Sequence, residues 1–212
     1  MTHKIKALVI ALVASLAMSA LAASAAQAEF HSSVEHTILK GSQEGSHTFS
    51  VGAGFGSISC TIVEFQGTQT AKTASALTIT PIYSGCKDSF GRTVHATGGE
   101  FTLTVPGATT GNATMHVIES KTTHVTGSGG AGTCMVHLPP QTLEGIVYHN
   151  RGGTQGILMT WNTVNSITTI TTGGIFNCGT SEGTHTEGSY TGTTVLQGFS
   201  TAGSAAEISV TP

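Results

Sequence analysis

The stretch Gly56-Ser57-Ile58-Ser59-Cys60-Thr61-Ile62-Val63-Glu64-Phe65-Gln66-Gly67-Thr68 decides how this chain is read. Apolar and polar residues alternate through it, and glycine stands near both ends. Successive side chains of a strand point to opposite faces, so a period of two marks a strand buried on one side. Ile58, Cys60 and Ile62 fall on one face, with Ser59 and Thr61 on the other. Val63 and Phe65 have the opposite parity, which calls for a bulge or a strand that changes sheet. A shorter echo, Gly174-Ile175-Phe176-Asn177-Cys178-Gly179-Thr180, puts a second cysteine in the same setting.

The chain has four cysteines, Cys60, Cys86, Cys134 and Cys178. An even number in an exported chain reads as disulfides. Three pairings are open, and the division into halves favours Cys60–Cys86 and Cys134–Cys178. In the chain-entropy model these loops stabilise by ~3.5 and ~4 kcal/mol. Metal ligation competes for the same residues, but the chain has no C-x-x-C spacing. No other set is diagnostic of a metal. His185 with Glu187, and His31 with Glu35 and His36, are the weak metal candidates.

Export is expected from the first 28 residues. Lys4 and Lys6 form a short basic start, Ala7 to Ala25 is apolar, and Ala26-Gln27-Ala28 supplies an A-x-A ending. That pattern is a secretory signal helix, with cleavage expected after Ala28. Residues 29–212 would then form a single β domain, or two half-units meeting near 126–132, where Gly127-Ser128-Gly129-Gly130-Ala131-Gly132 lies. No further apolar run is long enough to span a bilayer as a helix. Neither a terminal aromatic nor aromatic girdles mark a lipid-facing barrel.

Charge is sparse, with 9% charged residues and a formal net charge of −3. A weakly acidic surface argues against nucleic acid and anionic membrane as partners. A polysaccharide or protein surface remains as the partner class.

No helical period follows Ala28. His47 to Val51, Ser75 to Tyr83 and Leu143 to Tyr148 alternate, and Val164 to Thr172 is nearly all Thr and Ile, which favours strand. Pro81 cannot donate to a ladder, so its strand is expected at an edge or kinked. Arg92–Ala96 and Glu100–Val105 read as a hairpin joined at Gly98-Gly99. The expectation is an all-β, antiparallel sandwich or barrel of about a dozen short strands.

Chemistry-bearing motifs are weak. Gly179-Thr180-Ser181-Glu182-Gly183 matches G-x-S-x-G, but the nucleophile elbow needs a following helix and an acid and His in order. Gly52-Ala53-Gly54-Phe55-Gly56 lacks the Lys and helix of a phosphate loop. No pair of carboxylates can be named for glycoside hydrolysis. Neither a catalytic residue nor a cofactor is expected. Trp161, Tyr148 and Tyr190 are the aromatic candidates for a ligand contact, with Trp161 sharing its face with Ile157 and Met159.

The Ala26-Gln27-Ala28-Glu29-Phe30 junction, Gly67-Thr68-Gln69-Thr70, Leu77 through Cys86, and Pro140-Gln141-Thr142 together resemble secreted bacterial Gly/Thr-rich, disulfide-paired all-β proteins of no known activity. The resemblance covers most of the chain after Ala28. It implies export and an all-β fold and supplies no site residue. The expected function is an exported β-protein with a structural or binding role; the alternatives are an extracellular glycan-binding module and a secreted hydrolase.

Overall fold

The structure, a computed structural model, describes residues 28–52, 56–97, 99–105, 112–117, 123–129, 132–172 and 182–211. In chain order the strands are β1 (Glu29–Ser32), β2 (Thr37–Ser50), β3 (Ser57–Cys60), β4 (Ile62–Gln69), β5 (Thr73–Ala74), β6 (Ala76–Ser84), β7 (Cys86–Asp88), β8 (Thr93–Thr97) and β9 (Phe101–Thr104). They continue as β10 (Asn112–Val117), β11 (Thr123–Gly129), β12 (Gly132–Leu138), β13 (Thr142–Asn150), β14 (Ile157–Thr172), β15 (Gly183–Phe199), β16 (Ala205–Ala206) and β17 (Ile208–Thr211). The one helical turn among the described residues is a 3-10 turn at Gly153–Gln155. The all-β antiparallel expectation is met.

The register shows that many short strands are sections of longer ones. β3 and β4 run along β2, with His47 opposite Cys60 and Ser42 opposite Glu64. β6 and β7 run along β4 and β3 in one unbroken register, with Ile62 opposite Ser84 and Ile58 opposite Asp88. β8 and β9 then run along β7 and β6, with Cys86 opposite Val94 and Ile79 opposite Phe101. β10 and β11 pair with β9 and β8, and β13 and β12 pair with β10 and β11. β14 pairs with both β13 and β12, and β15 with β14.

The circuit then closes. β15 pairs with β2 from Phe199–Ile38 to Ser189–Ser50. Every long strand has its chain neighbour beside it, and the last lies beside the first. Among the described residues this is an up-and-down antiparallel barrel of eight long strands, each with a neighbour on both sides. Of the sandwich-or-barrel alternative, the pairing describes the barrel.

Three local expectations are corrected. Arg92–Ala96 and Glu100–Val105 do not form a hairpin; β8 and β9 are collinear and pair with the same neighbour. Glycine there interrupts a strand instead of reversing it. Pro81 is not at an edge, because β6 has β4 on one side and β9 on the other. The break between β8 and β9 falls where Pro81 would need a donor, so the partner strand absorbs the defect. Ile62 leaves the face of Ile58 and Cys60 and is 50% exposed. Between His47–Cys60 and Ser42–Glu64 four residues of β2 face three of the β3–β4 stretch, so the extra residue of the bulge lies on β2, within Gln43–Ser46, and the stretch itself only changes parity at Thr61. Gly85 stands opposite Thr61 with a φ of 61°, and a Cβ there would run into the Thr61 hydroxyl oxygen.

Apolar side chains point into the barrel. Along β6, Leu77, Ile79 and Pro81 are buried, while Thr78, Thr80 and Ile82 face out. Polar-out, apolar-in is the reverse of a lipid-facing barrel. Among the described residues no helix is long and apolar enough to cross a membrane. The interior holds two apolar clusters: a large one around Leu39, Phe65, Ile146 and Trp161, and a smaller one around Val51, Ile58, Cys86, Val94 and Val136. A three-stranded sheet, β17-β1-β5, adds Phe30, Ile208 and Val210 to the large cluster. The Asn150 side chain receives the Val210 N–H and donates to its carbonyl, tying that sheet to the β13–β14 turn.

Candidate functional site

Where the two clusters meet, packing is incomplete. Phe49, Cys60 and Tyr83 touch both clusters and are only partly buried, although their parity points them inward. In front of them lies a cavity of about 60 Å³. His47 and Phe49 of β2, Ile58 and Cys60 of β3, Tyr83 of β6 and Ala96 of β8 form one wall. Phe101, Val136, Leu138, Leu143, Ile167 and Tyr190 form the other. Its surface is almost wholly carbon.

Three polar side chains reach this space, and each has a partner. His47 is 2% exposed, with Nδ1 2.7 Å from the Tyr190 hydroxyl. Its Nε2 lies 3.2 Å from the Thr193 carbonyl and 3.0 Å from the Thr194 hydroxyl. A carbonyl can only accept, so Nε2 carries the proton and Nδ1 accepts from Tyr190. The Tyr83 hydroxyl interacts with that of Tyr190, which works to lower the Tyr83 pKa and to raise that of Tyr190. Trp161 Nε1 donates to Thr194 at 3.2 Å, extending the network into the large cluster. Trp161 stacks on Phe65 with the planes 17° apart and meets Tyr190 edge-on. Gly192 makes room for the imidazole, since a Cβ at that position would lie 2.5 Å from His47 Nδ1.

Burial sets the electrostatics. Removing water disfavours the imidazolium and lowers the His47 pKa, against the raising effect of the Thr193 carbonyl. Burial pushes the Tyr83 hydroxyl up to about 12 and Tyr190 well above its ordinary value. All three groups are therefore neutral at physiological pH. A neutral, internally paired network in an apolar barrel can hold shape and bind; it offers neither a charged nucleophile nor an activated base.

Trp161, Tyr148 and Tyr190 are all buried, at 1%, 2% and 8% exposure. Tyr190 joins the network and lines the cavity, whereas Trp161 and Tyr148 lie in the large cluster. His31 is half-buried on β1, and His36 is exposed with a φ of 53°. His185 is half-buried, with Nε2 3.0 Å from the Thr171 hydroxyl, and Glu187 is exposed. Among the described residues no group of three or more His, Cys, Asp or Glu could hold a metal ion. Cys60 and Cys86 are bonded as expected, directly opposite each other on β3 and β7. Cys134 is not a free thiol, and its expected partner Cys178 lies outside the described residues, as do Ser181 and the signal segment 1–27.

Sequence reasoning missed His47. Its signal was present, because His47 shares parity with Phe49 and Val51 in an alternating run. Neither a protein-family model, nor a curated protein, nor a solved structure matches the chain.

Proposed function

We propose that this is an exported β-barrel whose role outside the cytoplasm is to bind a small molecule in its interior. The observation that carries the reading is the unfilled apolar space at the junction of the two clusters, where interiors are otherwise packed to crystal-like density. The signal-like segment 1–28, the disulfide and the resemblance to secreted Gly/Thr-rich β-proteins support export. The glycan-binding alternative needs aromatic faces on the surface, and the three rings named for it are buried.

Two measurements test this. The protein recovered from outside the cytoplasm should begin at Glu29. Solvent extraction of that protein followed by mass spectrometry should release an apolar compound that co-purifies with it. A protein that stays in the cytoplasm, or an interior that never takes up any apolar compound, would refute the reading.

A further inference from the structure

The same cavity specifies the chemistry of its ligand, an inference that rests on the binding role just proposed. A barrel interior that takes an acid, an alcohol or a sugar needs donors or charges left free to meet it. Here almost no polar surface faces the space. The Tyr190 proton goes to His47 Nδ1, and the His47 Nε2 proton to Thr193 and Thr194. The remaining lining residues are Phe49, Ile58, Cys60, Ala96, Phe101, Val136, Leu138, Leu143 and Ile167, which bring carbon and a disulfide sulfur. The lining contains neither Lys, Arg, Asp nor Glu.

The geometry points to a site for small, neutral, purely apolar molecules, of the size of a noble-gas atom or a short hydrocarbon, that excludes carboxylates. The size follows from the volume: at roughly 10–15 Å³ of such space per water, 60 Å³ is room for about four to six water-sized groups. The exclusion follows from desolvation. A carboxylate drawn into this space would lose its water against a wall that is almost wholly carbon and carries no cation. Water is held weakly there, since an ordered buried water needs two to four polar partners, and apolar cavities accept xenon and hydrocarbons.

The test uses the full disulfide-bonded chain, with xenon, n-pentane and pentanoate as probes and methyl NMR as the readout. Xenon should move the methyl resonances of Ile58, Val136, Leu138, Leu143 and Ile167, and leave those of Ile208 and Val210, in the terminal sheet, in place. Pentane should produce the same pattern, and pentanoate should bind about a hundredfold more weakly or worse. Ala96→Leu, which fills the space from its wall, should abolish the xenon shifts. Val136→Ala, which enlarges the space, should strengthen pentane binding; this variant keeps the test open should Ala96→Leu not fold. Pentanoate binding as tightly as pentane would overturn the neutral-ligand inference and leave the binding role standing. Absence of any shift with all three probes in both the native chain and Val136→Ala would overturn the binding role itself.

Discussion

His47 Nδ1 and the Tyr190 hydroxyl, 143 residues apart in the chain, meet at 2.7 Å inside the barrel. The contact requires β2 and β15 to be paired, and it fixes the imidazole in one neutral tautomer. A protonated ring would place a second N–H against the Tyr190 hydroxyl proton and leave a charge in an apolar interior.

Acid should therefore weaken the fold through this residue. The folded pKa lies below the unfolded value of about 6.5, so the unfolded chain binds the extra proton. Stability is full above pH ~6.5 and is lost as pH falls from there through the folded value. Urea midpoints measured from pH 7.5 down to 5 should show this decline, and His47→Gln should flatten it. A His47 imidazole that titrates above 6.5 by NMR would contradict it.

Alkali should act in the same direction by the mirror argument. The Tyr83 and Tyr190 pKa values are raised on folding, so their contribution is full below pH ~10 and is lost as pH rises beyond it. Phenolate absorbance in the native protein should stay low past pH 10 and appear together with unfolding. A smooth titration centred on 10 without loss of strand signal would show that the two rings are solvated.

Two glycine substitutions separate close packing from backbone preference. Gly192→Ala drives a methyl into the His47 ring and should cost about 1–3 kcal/mol, while releasing the native tautomer. Gly45→Ala adds a methyl at ordinary contact distance, 3.5 Å from Thr193, and should be neutral or stabilise by up to about 1 kcal/mol. Chemical denaturation of the pair distinguishes the two effects, and equal destabilisation would show that the barrel simply resists any Cβ on these strands.

The Cys60–Cys86 bond closes a separation of 26 residues, worth ~3.5 kcal/mol in the chain-entropy model. Cys60→Ala with Cys86→Ala should lower the unfolding free energy by about 2–4 kcal/mol. Both residues sit on neighbouring paired strands, so strand content by circular dichroism should not change. Loss of the β signal in the folded variant would mean that the bond holds the barrel closed.

Local features were legible where one strand carries its own evidence. The parity of Ile58 and Cys60, the Trp161 face and the hairpin through His149–Gly153 needed nothing beyond alternation and turn residues. The change of parity was legible but not the strand that carries the bulge, because the extra residue lies among Gln43–Ser46 of β2, where no large apolar side chain marks the phase. Gly98-Gly99 was misread because a glycine pair marks a turn and a strand interruption alike. Barrel closure was not legible at all. The pairing of Phe199 with Ile38 depends on how six intervening long strands tilt and stagger, which no local pattern encodes. The cavity was hidden for the same reason, since its walls come from strands whose order around the ring is set by that closure.

The small sheet and the barrel seam make the first strands depend on strands much later in the chain. β1 pairs with β17, and the barrel seam joins β2 to β15. As a chain grows from its N-terminus, one hydrogen-bonding edge of β1 and one of β2 stay uncovered until β17 and β15 emerge. Such distant pairing makes folding slow and keeps the nascent chain extended. For a chain exported as proposed, that delay favours the unfolded state that threads a narrow channel.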